Sequence, residues 1–72
     1  MTHSDNAPWM VVYMAHGRRQ ADNVEALLQS EGFLVKRRQL EKSVSDGDGA
    51  FELLVLKAEA QEAREVLLEK GL

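Results

Sequence analysis

The residues best able to do chemistry lie in three short stretches. The first is His16-Gly17-Arg18-Arg19. A glycine there separates an apolar run from a helical pattern, so the stretch reads as a turn at a helix start. Free N–H groups at such a start, with guanidinium groups beside them, suit a phosphate or a carboxylate. Basic residues there oppose the helix dipole, which asks for a reason. The plain alternative is a loop with solvated arginines. The GxxxxGK[ST] spacing of a P-loop is absent.

The second stretch is Lys36-Arg37-Arg38, with Lys42 nearby. Such a cluster contacts nucleic acid or an acidic partner, or guards an outer strand against edge pairing. The net charge of −3 favours the guard and argues against nucleic acid. The third is Asp46-Gly47-Asp48-Gly49, a fragment of a calcium loop without its closing Glu or flanking helices. These are ordinary turn residues, and a hairpin loop is the expected reading.

Nothing assembles a catalytic centre. The chain has no cysteine, and its two histidines are His3 and His16, too few to converge on a metal. There is no nucleophile elbow. Lys36, Lys42, Lys57 and Lys70 have no deep cofactor pocket to work in at this size. The expectation is a protein that is not an enzyme and holds no cofactor and no metal.

The elements that position these residues follow from periodicity. Residues 1–8 read as a polar, flexible tail, and 9–72 as one α/β domain. Trp9 to Ala15 is a short apolar run bounded by Pro8 and Gly17, hence a strand. Strict alternation gives it two apolar faces, Trp9/Val11/Tyr13 and Met10/Val12/Met14. Arg18 to Ser30 is a helix with Ala21, Val24, Leu27 and Leu28 as its stripe, and Gly32 follows as a left-handed stop. Phe33 to Leu40 is a second strand, with Phe33 and Val35 opposite Lys36 and Arg38. Residues 41–50 form a loop. Phe51 to Leu56 is a third strand, with Glu52, Leu54 and Leu56 on one side. Glu59 to Lys70 is a second helix, with Ala60, Ala63, Val66 and Leu67 inward.

A helix between the first two strands makes them parallel, and the loop makes the second and third antiparallel. The fold expected is α+β: a two-layer βαββα sandwich of sheet order 1-3-2, ferredoxin-like without its last strand, both helices on one face. Glu52 then lies on the face of Lys36 and Arg38, a favourable charge pairing. The face away from the helices keeps Leu54 and Leu56, with one apolar set of the first strand. A bare apolar face of that kind marks an interface. Trp9, Met10, Val12, Met14, Leu54 and Leu56 are therefore the expected contact residues, and a homodimer or docking on another protein the expected state. A domain of about 70–80 residues or fewer, without staples, gains from such association.

The order of these motifs resembles a known family. Tyr13-Met14-Ala15 ends a strand, and Glu25-Ala26-Leu27-Leu28 carries a helix. Glu31-Gly32-Phe33 leads into the next strand, and Glu62-Ala63-Arg64-Glu65-Val66-Leu67 carries the last helix. This is similar to the small bacterial signal-transducing domains compared in fold with PII regulators, over residues 9–72. The resemblance implies a regulatory fold and carries no ligand residues, because the long effector loop of PII proteins is absent. The chain departs from that family at His16-Gly17-Arg18-Arg19, where members often have Asn or Asp. The leading expectation is a small regulatory or protein-interaction module. The alternative is a sensor of small anions at His16–Arg19.

Composition adds boundaries. With 44% hydrophobic residues, the chain can build a core. The longest apolar run is far short of the ~20 residues of a membrane helix. The first six residues lack a basic signal region, so no membrane partner and a cytoplasmic location are expected.

Overall fold

The structure, a computed structural model, describes residues 8–40 and 49–72. The expected tail at 1–7 and the body of the expected loop, 41–48, lie outside the described residues. The elements are β1 (Trp9–His16), α1 (Arg18–Ser30), β2 (Lys36–Gln39), β3 (Ala50–Leu56) and α2 (Ala60–Glu69), with a short 3-10 turn at Lys57–Glu59 before α2. The strands form one antiparallel sheet in the order β1-β3-β2. The βαββα sandwich expected from element order is the fold observed.

The two helices are built to one plan. The first buries Ala21, Val24 and Leu28, and the second Ala60, Ala63 and Leu67, at the same spacing. Each is followed by a glycine of positive φ, Gly32 at 96° and Gly71 at 80°. The residue after each glycine then bonds back into the last turn. The Phe33 N–H donates to the Leu28 carbonyl at 3.1 Å, and the Leu72 N–H to the Leu67 carbonyl at 2.9 Å. That is a Schellman stop in both helices. It also explains why β2 is shorter than expected. Phe33 is buried as the apolar closure of α1, and the strand starts only at Lys36.

Both helices cover the same face of the sheet. Val24, Leu28, Ala63 and Leu67 pack with Leu53 and Val55 in one cluster. Leu53 and Val55 are fully buried, as the middle of a central strand requires. Ala15, Ala21 and Phe51 make a smaller cluster at the other end.

One irregularity changes which residues face where. The register of β1 on β3 shifts between Val11 and Tyr13, so Val12 is an extra residue. A bulge of this kind breaks period-two alternation. Before it, Met10 pairs with Val55 on the helix side. After it, Tyr13 pairs with Leu53 and Ala15 with Phe51, again on the helix side. The outer face therefore carries Trp9, Val11, Met14 and His16. Neither set read from strict alternation survives intact.

Arg37 locks β2 to α1. It pairs with Leu53, hence points to the helix side. Its Nη2 donates to Asp22 Oδ1 at 2.5 Å and to Glu25 Oε1 at 2.6 Å. Its guanidinium also lies 5.5 Å from the Phe51 ring centre. Asp22 and Glu25 are three apart on one helix, where like charges repel, and Arg37 neutralises both. The hydrogen bond to Asp22 pushes the Arg37 pKa up against the opposing effect of burial, and the charge of Glu25 adds to the rise. A raised cationic pKa means a contribution complete below the unfolded value and lost only as pH climbs through the folded one. This lock therefore titrates only at strongly alkaline pH through Arg37.

Two stability changes follow. Leu53→Ala is expected to cost about 3 kcal/mol in urea unfolding, a large share of a small domain's total. Arg37→Met keeps the apolar stem and is expected to cost about 1–2 kcal/mol, less in high salt. An unchanged midpoint for Arg37→Met at low salt would remove the lock from the account.

Candidate functional site

The sheet face away from the helices is not bare. Leu54 was expected to stand exposed there, yet it is only 6% exposed. Its neighbours explain this. Leu54 lies between Val11 of β1 and Lys36 of β2. The Lys36 ammonium sits 5.5 Å from the centre of the Trp9 ring. Adjacent strands are about 4.8 Å apart, so β1 and β2 are separated by about twice that. The two side chains can meet only by leaning over β3, and the Lys36 stem then roofs Leu54. Beside this roof, Arg38 Nε donates to Glu52 Oε1 at 2.9 Å, the cross-strand pair expected from sequence.

The contact set expected for that face is therefore corrected. Met10 and Val12 turn to the helix side and pack against the main core. Leu54 is covered within the single chain. Trp9, Met14 and Leu56 remain on the outer face, with Met14 46% exposed and the other two half-buried. Met10 and Val12 share the helix side, the bulge after Val11 turns Tyr13 inward and leaves Met14 outside, and the Trp9–Lys36 contact covers Leu54.

The turn at His16–Arg19 is placed as expected, between β1 and α1. Gly17 has φ 91° and ψ 153°, a region open essentially to glycine alone. Its N–H is spent on the Gly49 carbonyl at 2.8 Å. The His16 N–H is spent on Gln20 Oε1 at 2.7 Å. Two amides of the expected anion site are thus already engaged. The α1 start has no side-chain cap and no acidic residue in its first turn. Arg18 and Arg19 are exposed.

Unfilled space borders the outer edge of β1. The Lys57 N–H donates to the Pro8 carbonyl and the Gly17 N–H to Gly49. Antiparallel alternation between these ends, allowing for the bulge, turns Trp9, Val11, Met14 and His16 away from β3. Two contacts agree with this. Gln20 holds the His16 N–H, and Arg64 of α2 donates to the Val11 carbonyl at 3.4 Å. Pro8, just before β1, is thus tied by its carbonyl to Lys57.

Two open cavities flank Leu72 along this edge. One, of about 540 Å³, is walled by Val24, Leu27 and Leu72, with His16, Arg19 and Gln20 at its rim. The other, of about 200 Å³, lies between Val12 and Tyr13 of β1 and Arg64 and Leu68 of α2. No Asp or Glu side chain lines either one. Leu68 is 72% exposed and Leu72 44%. Exposed apolar surface is thus found here as well as at Met14 on the outer face. Sequence reading passed over Leu68, Leu72, Arg64 and Gln20. The signal was present in Leu67-Leu68, where the second leucine falls outside the buried spacing.

The basic run of β2 does not form one patch. Lys36 is over Trp9, Arg37 is with Asp22 and Glu25, and Arg38 is with Glu52. Lys42 and the Asp46–Asp48 part of the acidic turn lie outside the described residues. Among the described residues no group of three or more His, Asp or Glu is placed to hold a metal. No helix among the described residues is long and apolar enough to cross a membrane.

The roof over Leu54 is testable. Trp9→Ala is expected to raise binding of an apolar dye and to lower stability by about 1–2 kcal/mol. A double-mutant cycle with Lys36→Ala should return a coupling of about 0.5 kcal/mol. Zero coupling would mean that the two side chains cover Leu54 independently.

Comparison of the chain with models of known protein families, with curated proteins and with solved structures gives no match.

Proposed function

We propose that this chain is a small, non-enzymatic interaction module of regulatory type that receives a protein segment along the free edge of β1. The observation that carries this is the cavity between Val12 and Tyr13 of that edge and Arg64 and Leu68 of α2, with a second cavity at the His16 end. Backbone groups of Trp9 and Met14 face outward there, and Leu68 and Leu72 overhang it. Strand addition to an open edge takes main-chain hydrogen bonds for affinity and side-chain pockets for specificity. The edge of β2 offers neither, being four residues long and charged. The likeness of the chain's motifs to small signal-transducing domains supports a regulatory role. Self-association is one form of this function, with a second copy as the segment donor.

Selection of a phage-displayed random peptide library on the full chain tests the reading. Enriched peptides should shift the backbone amide signals of Trp9, Val11 and Met14 and protect them from exchange. Peptides that bind only at β2 or the outer face would overturn it.

A second reading has one observation of its own: His16 and Arg19 both border the 540 Å³ cavity, whose walls are apolar. That volume suits a small ligand. The ligand class is a carboxylate with an apolar body. A thermal-shift screen should then show a raised midpoint with a medium-chain fatty acid and none with acetate or phosphate, through mass-action linkage. Arg19→Ala should abolish the rise. No rise with any of the three retires the sensor.

A further inference from the structure

The two halves of the chain repeat one design, and the repeat says what shape is missing. The first half runs β1, α1, Gly32, Phe33 and then β2, which pairs antiparallel with β3. The second runs β3, α2, Gly71 and Leu72. Its helix buries the same spacing and ends in the same stop. Exchanging the halves carries the place of β2 beside β3 onto the place beside β1. That lane is the one flanked by the two cavities. It is therefore a strand-shaped space, antiparallel to β1.

The charge around the lane says what the strand carries. Arg64 sits on the Val11 carbonyl, and Arg19 and His16 stand at the far end. No Asp or Glu side chain lines the space. A second copy of β1, paired about a two-fold axis, would bring an equal set of arginines against these. An acidic segment meets them favourably, and complementary charge fixes register and partner choice.

Resting on the strand-addition reading above, we propose that the lane binds an extended segment of a partner protein in which apolar residues alternate with carboxylates. Apolar side chains enter beneath α2, against Val12, Tyr13, Leu68 and Leu72. One carboxylate takes the guanidinium of Arg64, which leaves its long 3.4 Å contact and frees the Val11 carbonyl for the incoming strand. Arg64 is thus both a cover for the empty edge and the selector of the segment. It is exposed, so its replacement leaves the core intact.

The test uses the full chain and a peptide taken from the phage selection. The selected peptides should alternate apolar residues with Asp or Glu. Arg64→Glu should weaken such a peptide about tenfold, and a peptide with Lys in place of its acid should recover the loss on Arg64→Glu alone. The footprint on β1 should be the same in both pairs. Equal affinity for wild type and Arg64→Glu, with the footprint still on β1, would overturn the charge assignment and leave strand addition standing. A footprint elsewhere would overturn both. A two-chain mass by light scattering, with protected β1 amides and no peptide present, would place a second copy in the lane and overturn the acidic segment.

Discussion

The whole molecule depends on β3 being covered on both sides with only one layer of helices to do it. As the middle strand it has neighbours on each edge, and it is apolar on each face. Leu53 and Val55 are closed by α1 and α2. Leu54 has no helix above it, and its burial comes from the reach of Trp9 and Lys36 across the sheet. A lysine stem and an indole thus stand in for a missing layer. This keeps a 72-residue chain closed without a disulfide.

Once that face is roofed, the unsatisfied part of the fold moves to the side. The edges of the sheet are treated unequally. Charge and shortness guard β2. The longer β1 has only a bulge and two borrowed side chains, Gln20 and Arg64, each engaging one outward backbone group. Both contacts come from exposed or half-exposed side chains. Such covers are easily given up, which suits a surface that alternates between empty and filled.

Much of this was legible in the residues. Helical stripes, glycine stops and a turn-rich break gave element order, and element order left one sensible sheet. The Arg38–Glu52 pair followed from parity alone. The outer face was misread for two physical reasons. Period-two alternation carries no mark of an extra residue, so Val12 shifted every later position of β1 unseen. Lys36 counted as a charge, although its four-carbon stem is an apolar cover. The site was less legible. His16 and Arg19 were noticed for their charge, and both do border a cavity. Leu68, Leu72 and Arg64 gain meaning only when α2 is laid over β1, a relation between segments more than fifty residues apart.

The extra residue at Val12 has a wider meaning for chains built on this plan. It is a half-step in phase: everything from Tyr13 onward is turned over relative to what Trp9 to Val11 announce. A sister chain lacking Val12 would run in plain alternation and keep Tyr13 inward and Met14 outward, whereas one that kept Val12 in regular pairing would send Tyr13 outward and Met14 into the core. Whether Val12 is paired or bulged, more than residue type, decides which side of this strand meets the world.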